Sequence, residues 1–248
     1  MEPRRPAVPA DVRVARPKLP VVHVSDARVV ARWYAEHHGK RTVFIPYGSD
    51  AECVPPGPTL QRLGLEPGRY LLYVSRLEPE NNANVVIDAY RLAGGLESLG
   101  VPLIMVGDAP YATAYKADLA RKAAATPGLV MTGYIFGRGY AELQSNALVY
   151  VQATGVGGTH PALIEAMGRG AVVIANDVPE HREVLADTGR YYRRDDAASL
   201  AGQLTEIVAD RAERMRLAAA ATERARTTFS WDGVTDVYER LFQAIARS

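Results

Sequence analysis

Short apolar runs alternate along this chain with stretches in which apolar side chains recur every three or four positions. The runs YLLYVS (70–75), PLIMV (102–106), Leu129–Thr132, Ala147–Gln152 and AVVIA (171–175) predict strands. Between them, Asn82–Ala93, with Val85, Val86, Ala89 and Tyr90 facing inward, predicts a helix. So do Ala112–Ala124, Tyr140–Gln144, Pro161–Gly168 and Glu180–Ala186. Strands that are apolar on both faces and alternate with helices belong in a parallel sheet covered on two sides. The fold predicted is α/β, a Rossmann-like doubly wound parallel sheet. Helices over roughly 196–208, 210–227 and 231–247, the last capped by Ser230, close the chain.

The texture upstream differs. Val21–Val24 predicts a strand, and Asp26–His38 a helix with Val29, Val30, Trp33 and Tyr34 at helical spacing. Gly39 stops that helix, Thr42–Pro46 predicts another strand, and 47–66 reads as a loop holding a short helix near Thr59–Leu63. Residues 1–20 carry five prolines and five basic residues, a composition that cannot bury a core and predicts a disordered arm. The expected organisation is an arm over 1–20, a small unit and linker over 21–65, a Rossmann-like body over 66–229, and a closing helix over 230–248.

Composition removes several function classes. The 29 basic and 28 acidic residues leave a net charge of +1, without the dominant basic surface that nucleic acid demands. Cys53 is the single cysteine, so no intrachain disulfide or cysteine-rich zinc site is expected. The five histidines show no metal-ligand spacing, and no metal is expected. No apolar run approaches the length of a membrane span. The expectation is a cytoplasmic protein whose basic arm is read as a solvated tail in preference to a peripheral contact with the inner face of a membrane.

In a doubly wound sheet, ligands bind beyond the carboxyl ends of the strands. There the segment ATGVGGTHPALIEAM (153–167) follows a strand and opens a helix. Gly155, Gly157 and Gly158 permit close backbone approach, and Pro161 suits a first helical position. The amides and dipole of that first turn form an anion site suited to a diphosphate, although a tight turn without ligand explains the glycines too. Glu165 either compensates the dipole or accepts hydrogen bonds from sugar hydroxyls. Arg76, in SRLEPENN, either clamps a diphosphate and stabilises charge on a departing phosphate or pairs with Glu78 or Glu80. Val106-Gly107-Asp108 and Thr132-Gly133-Tyr134 end two further strands as pocket linings or as structural turns.

The strings SRLEPENN, VGDAPY, TGYIFG and GGTHPALIEAMGRGAVVIANDVPEHREVL, in that order, resemble the C-terminal domain of family 4 (group 1) GT-B glycosyltransferases. The similarity is greatest to a rhamnosyltransferase-like branch with a GGT-x-P-A-L-x-E-A-M loop and a preceding F-I-P-Y-G. It runs from about Val21 to the C-terminus. The resemblance implies that Arg76 contacts the donor diphosphate. Gly157, Gly158 and Thr159, with His160 and Pro161, would hold phosphate and sugar, Glu165 would bind ribose, and Gly133 and Tyr134 would contact the base. Asn81 stands where many members carry a phosphate-pairing lysine, and Gly157 where the first glutamate of E-x7-E would be. His160 either replaces part of that sugar contact or merely caps its helix.

The implied reaction is transfer of a sugar from a nucleotide-diphosphate donor, with retention and without cofactor, to a carbohydrate or lipid-linked acceptor. A deoxythymidine-diphosphate rhamnose donor follows from the branch resembled. Only the last strand and helix of an acceptor domain, 21–38, would be in this chain, the rest belonging to a longer enzyme or a partner chain. The final helix, SWDGVTDVYERL, resembles the one that packs back toward that domain. Two other readings stay open. One is a non-catalytic nucleotide-sugar-binding or regulatory module. The other is a dinucleotide-dependent oxidoreductase built on Gly155-x-Gly157 and Asp177.

Overall fold

A computed structural model describes residues 22–247; the arm assigned to 1–20 lies outside them. The first described unit is β1 (His23–Ser25), α1 (Arg28–His38) and β2 (Thr42–Phe44), in which the two strands pair in parallel. After α2 (Pro58–Leu63) the body runs β3 (Leu71–Val74), a 3-10 turn (Pro79–Asn81), α3 (Ala83–Leu92), α4 (Gly95–Leu99), β4 (Leu103–Val106), α5 (Thr113–Ala124) and β5 (Leu129–Gly133). It continues through α6 (Gly137–Ser145), β6 (Val149–Gln152), α7 (Pro161–Gly168), β7 (Val173–Asn176), α8 (Pro179–Leu185) and β8 (Arg190–Tyr192). The helices α9 (Ala197–Ala209), α10 (Arg211–Thr228) and α11 (Trp231–Ala246) finish the chain.

The six strands of the body form one sheet in the order β5-β4-β3-β6-β7-β8, every neighbour parallel. Side chains alternate across it with the period of two that a strand imposes. Leu71, Tyr73, Leu103, Met105, Val149 and Val151 pack on one side against α3 and α9. On the other side Leu72, Ile104, Tyr150 and Val173 pack against α7, which is itself covered by Ala221 and Ala225 of α10. The small residues at a four-residue spacing let α10 lie close on α7.

The predicted sheet, with its helices on both faces, is therefore present, and several differences have local causes. β8 was not expected. It has three residues, one of them charged, and it is a strand because Ile174 to Asn176 of β7 offer it an edge. The helix predicted around Tyr140–Gln144 extends over Gly137–Ser145. No residue of α1 is buried, and Trp33 and Tyr34, two of its apolar residues at helical spacing, are 47% and 42% exposed. A sheet of two three-residue strands is too small to cover that face.

The short unit is nonetheless stitched to the body. Glu183 of α8 accepts hydrogen bonds from the backbone N–H groups of Arg28 (2.8 Å) and Val29 (3.0 Å), capping α1 from a distance of 155 and 154 residues in sequence. Ser230 caps α11 as predicted, its Oγ accepting from the Gly233 amide at 3.2 Å. Trp231 lies over Gly48, where an added Cβ would come within 2.5 Å of the indole.

Glu142 does for α2 what Glu183 does for α1. Its carboxylate, 2% exposed, accepts from the amides of Gly57 and Leu60 at 2.8 Å and Thr59 at 3.3 Å. Desolvation raises its pKa, but those three donors outweigh it and hold the group below the ordinary carboxylate range. A depressed folded pKa stabilises above the unfolded value of about 4.3, and the contribution disappears as pH falls through the folded value. Glu142→Gln is thus expected to lose about 2 kcal/mol at pH 7 in urea denaturation. The deficit should shrink below pH 4, and a pH-independent deficit would contradict the ionised cap.

Candidate functional site

The strand order reverses between β3 and β6, so the chain leaves the sheet in opposite directions from neighbouring strands and opens a crevice at their carboxyl ends. Ser75 and Arg76 emerge from β3, and 153–158 from β6. Polar staples hold the crevice open. The Gly155 amide donates to the Glu80 carbonyl at 3.0 Å. Asn82 Nδ2 donates to the Ala153 carbonyl (2.9 Å) and to Asp195 Oδ1 (2.8 Å). Asp195 also takes a hydrogen bond from Asn176 Nδ2 at 3.0 Å and returns its amide to Asn176 Oδ1 at 3.2 Å. Asn82 and Asp195 have φ of +57° and +54°, which Asn and Asp tolerate better than most residues. Sequence reasoning missed all three residues. The only signal was a pair of asparagines after a strand.

Arg76 sits at the crevice with its side chain 65% exposed. Its Nη1 lies 3.3 Å from Glu78 Oε1 and 3.4 Å from the Tyr111 hydroxyl. The pairing with Glu78 raised from sequence is therefore made, and Tyr111, which donates to the same carboxylate, is an addition. A surface pair of this kind contributes little and leaves the guanidinium available. Asn81 is placed elsewhere: it is buried, its Nδ2 donating to the Arg76 carbonyl at 2.8 Å while its own carbonyl accepts from Tyr73. It braces Arg76 where a ligand contact was expected.

The 157–161 loop is built as the sequence implied but is held from an unexpected side. Gly157 has φ of +143°, and a Cβ there would meet His160 Cε1 at 2.7 Å. A Cβ on Gly158 would lie 2.2 Å from Asp26 Oδ1, and the Thr159 hydroxyl donates to the Asp26 carbonyl. Asp26, between β1 and α1, thus clamps the loop, and the Thr159 side chain is spent on that clamp. His160 is the N-cap residue of α7, yet its side chain makes no capping bond. Burial lowers its pKa against the opposing pull of Asp26, so the ring is neutral near pH 7. α7 begins at Pro161, directing its positive end at the crevice.

Glu165, one turn into α7, is held by its neighbours. Tyr140 donates its hydroxyl to Glu165 Oε2 at 2.5 Å, and Arg169 Nη1 lies 3.6 Å from the same oxygen. Gln144 donates to the Tyr140 hydroxyl at 2.8 Å and to the Ala162 carbonyl at 2.9 Å, and accepts from Arg169. Burial raises the Tyr140 pKa strongly, so the phenol stays a donor. Tyr140 and Gln144 were not found from sequence, because they meet Glu165 only through the packing of α6 on α7; Arg169, four residues on from Glu165, was open to detection from helical spacing and was missed.

Gly133, with φ of +71°, turns the chain out of β5 and presents Tyr134, whose ring stacks on Phe136 at a centroid distance of 5.3 Å. The Tyr134 hydroxyl donates to the Asp108 carbonyl at 2.9 Å. Arg76, Tyr134, Phe136 and Tyr140 share the wall of a mostly apolar cavity of about 260 Å³ over the ends of β3 and β4. A larger groove of about 630 Å³ lies between α1 and α8, lined by Arg28, Arg32 and Arg182, away from that reversal point. The smaller cavity is the candidate, because the topology converges on it. Asp177, the ribose acid of the dinucleotide reading, is instead held by Arg182 in two hydrogen bonds of 2.5 and 2.7 Å.

Residues 61–224, more than half the chain, match the family described as Glycosyl transferases group 1. The chain belongs to that glycosyltransferase family. A phosphatidyl-myo-inositol mannosyltransferase of Mycobacterium leprae is 30% identical over 240 residues, covering 92% of this chain and 59% of the relative. The O-antigen chain mannosyltransferase B of Escherichia coli is 26% identical over 192 residues, 77% of this chain and 49% of that protein. This glycosyltransferase chain thus spans about 59% of the first relative's length. Among solved structures, Anabaena Alr3699/HepE in complex with UDP-glucose superposes with a TM-score of 0.77 at 18% identity, over 92% of this chain and 64% of that one. The C-terminal domain of a group 1 glycosyl transferase (LpcC) from Francisella tularensis superposes with a TM-score of 0.64 at 18% identity, over 74% of this chain and 100% of that domain. The family expected from sequence is confirmed. The rhamnosyltransferase-like branch is not, since the curated relatives are named as mannosyltransferases. Among the described residues no helix is long and apolar enough to cross a membrane.

Proposed function

We propose that this chain is the donor-binding half of a retaining sugar transferase acting on a nucleotide-diphosphate sugar. The observation that carries the reading is the cavity whose wall holds Arg76, Tyr134, Tyr140 and Ala162 of α7, with Tyr140 bonded to Glu165. In this reading the base enters the apolar cavity beside Tyr134 and the backbone after Gly133. Glu165 accepts from the ribose hydroxyls, and the diphosphate lies across Arg76 and the loop amides. Arg76 releases Glu78 and meets the charge that develops on the leaving diphosphate, which is the catalytic contribution this half makes. No metal is invoked, since the guanidinium and helix dipole supply the positive field. The transferred sugar is read as mannose, from the relatives, in preference to rhamnose. A further domain or a partner chain supplies the carbohydrate or lipid-linked acceptor, with the β1-α1-β2 unit and α11 beside it.

Calorimetric titration of the chain with UDP, GDP, dTDP and their sugars tests this directly. Saturable binding of one nucleotide is expected, and NADH should not bind. Failure of every nucleotide at millimolar concentration would overturn the reading for this chain. Arg76→Ala is expected to weaken diphosphate binding about tenfold while leaving the nucleoside's weak affinity unchanged, as the loss of one charge-assisted contact would. Equal affinities in the two proteins would remove Arg76 from the site.

A further inference from the structure

Beneath the loop that holds His160 lies a second histidine. His181, in α8, is fully buried at 0% exposure. Its Nδ1 is 2.7 Å from the Asn176 carbonyl oxygen. That oxygen only accepts, so Nδ1 carries the proton and Nε2 of the neutral ring is a bare acceptor. Nε2 has no hydrogen-bond partner. A buried polar atom left in that state costs about 1–3 kcal/mol, and such an exception calls for an explanation. Burial, and then His160 itself, push the His181 pKa down to about 4, so protonation does not remove the difficulty at neutral pH.

His160 is the neighbour able to resolve it. The two ring centroids are 5.0 Å apart with the planes 59° from parallel. That is about the separation at which one imidazole N–H reaches the ring nitrogen of another, given an N-to-N distance of about 2.9 Å. The bond is not made in the structure, and rotation of the His160 ring is the movement it calls for. His160 also rests on Gly157, so its orientation is read directly by the loop.

We propose that His181 is a positioning residue: its Nε2 takes the ring N–H of His160, fixing that ring in one neutral tautomer with its other nitrogen presented as an acceptor to a hydroxyl of the transferred sugar. The Asn176 carbonyl orients His181, and Asn176 is in turn tied through Asp195 and Asn82 to the strand ends. His160 then supplies the sugar contact that Gly157 cannot make for want of a side chain. The proposal rests on the nucleotide-sugar reading for the identity of the ligand, while the tautomer lock stands on the two rings alone.

The test uses the full chain with nitrogen-15-labelled histidine. In the wild type, His160 is expected to show a single neutral tautomer at pH 8 and a nitrogen–nitrogen coupling across its bond to His181. His181→Phe keeps the volume and removes the acceptor, so His160 should become a mixture of tautomers. His181→Gln keeps an acceptor near the Nε2 position and should restore one form. In calorimetry His181→Phe should lower affinity for the nucleotide sugar about tenfold while leaving the bare nucleotide diphosphate unchanged, and His181→Gln should retain most of the discrimination. Equal losses for sugar and diphosphate would show a structural role only and overturn the proposal. So would a His160 tautomer indifferent to His181, or, should His181→Phe fail to fold, the absence of the coupling in the wild type. If no nucleotide binds the wild type, the donor-site reading fails separately, and the coupling still decides the lock.

Discussion

Nucleotide affinity is expected to fall about a hundredfold in Glu165→Ala, with the fold intact. Glu165 would accept from two ribose hydroxyls, each hydrogen bond to a charged group contributing about 1.5–3 kcal/mol, and roughly 1.4 kcal/mol is a factor of ten. The substitution is surface-facing enough to leave the core undisturbed, since the side chain is 30% exposed and lies between Tyr140 and Arg169. Tyr140→Phe supplies the graded control. It removes the hydroxyl that holds Oε2 at 2.5 Å and keeps the ring under Arg169, so a loss of about fivefold is expected. Calorimetry on both variants, with circular dichroism to verify the fold, measures the difference. A Glu165→Ala protein that binds nucleotide as the wild type does would take the carboxylate out of the site.

Gly107→Ala should cost more than about 4 kcal/mol and leave little folded protein at room temperature, given total stabilities of roughly 5–15 kcal/mol. The residue leaves β4 with φ of +133°, and its added Cβ would lie 1.8 Å from the Ser75 carbonyl oxygen. That oxygen belongs to backbone at the end of β3, whose amide is tied to the Val106 carbonyl of β4, and cannot swing aside as a side chain would. Gly68→Ala separates the two causes. There φ is +70° with nothing within 4 Å of the new Cβ, so only the left-handed backbone is penalised, by about 1–2 kcal/mol. Guanidinium unfolding of both variants distinguishes them. Equal midpoints would show that the sheet yields at Gly107 and that the close approach is not needed.

These two positions also mark the boundary between what a reader of the sequence sees and what packing decides. The parallel sheet was legible because β3, β4, β6 and β7 are buried on both faces, which leaves an unbroken apolar run in the primary structure. Arg76 and the glycine-bearing loop were singled out because they follow strands, and strand ends are where such a sheet binds ligands; Glu165 lies in the helix that loop opens. Pro161 and Ser230 announced helix starts through local chemistry alone. The chain's own pattern therefore determined the fold class and the residue types available at the carboxyl ends of the strands.

Tertiary structure decided which of those residues act together. Asn81 became a brace for Arg76, and Thr159 a fastening to Asp26, because each hydroxyl or amide bonds whatever folding sets within 3 Å, and sequence spacing carries no such distance. Tyr140 and Gln144 reach the Glu165 cluster only where α6 meets α7, and His181 approaches His160 only where α8 meets the loop. β8 exists because β7 offers an edge, and α1 keeps its aromatic face exposed because its two-stranded sheet is too small to cover it. Periodicity is a one-dimensional property and specifies elements; partners between elements depend on how those elements pack, and only the folded chain fixes that.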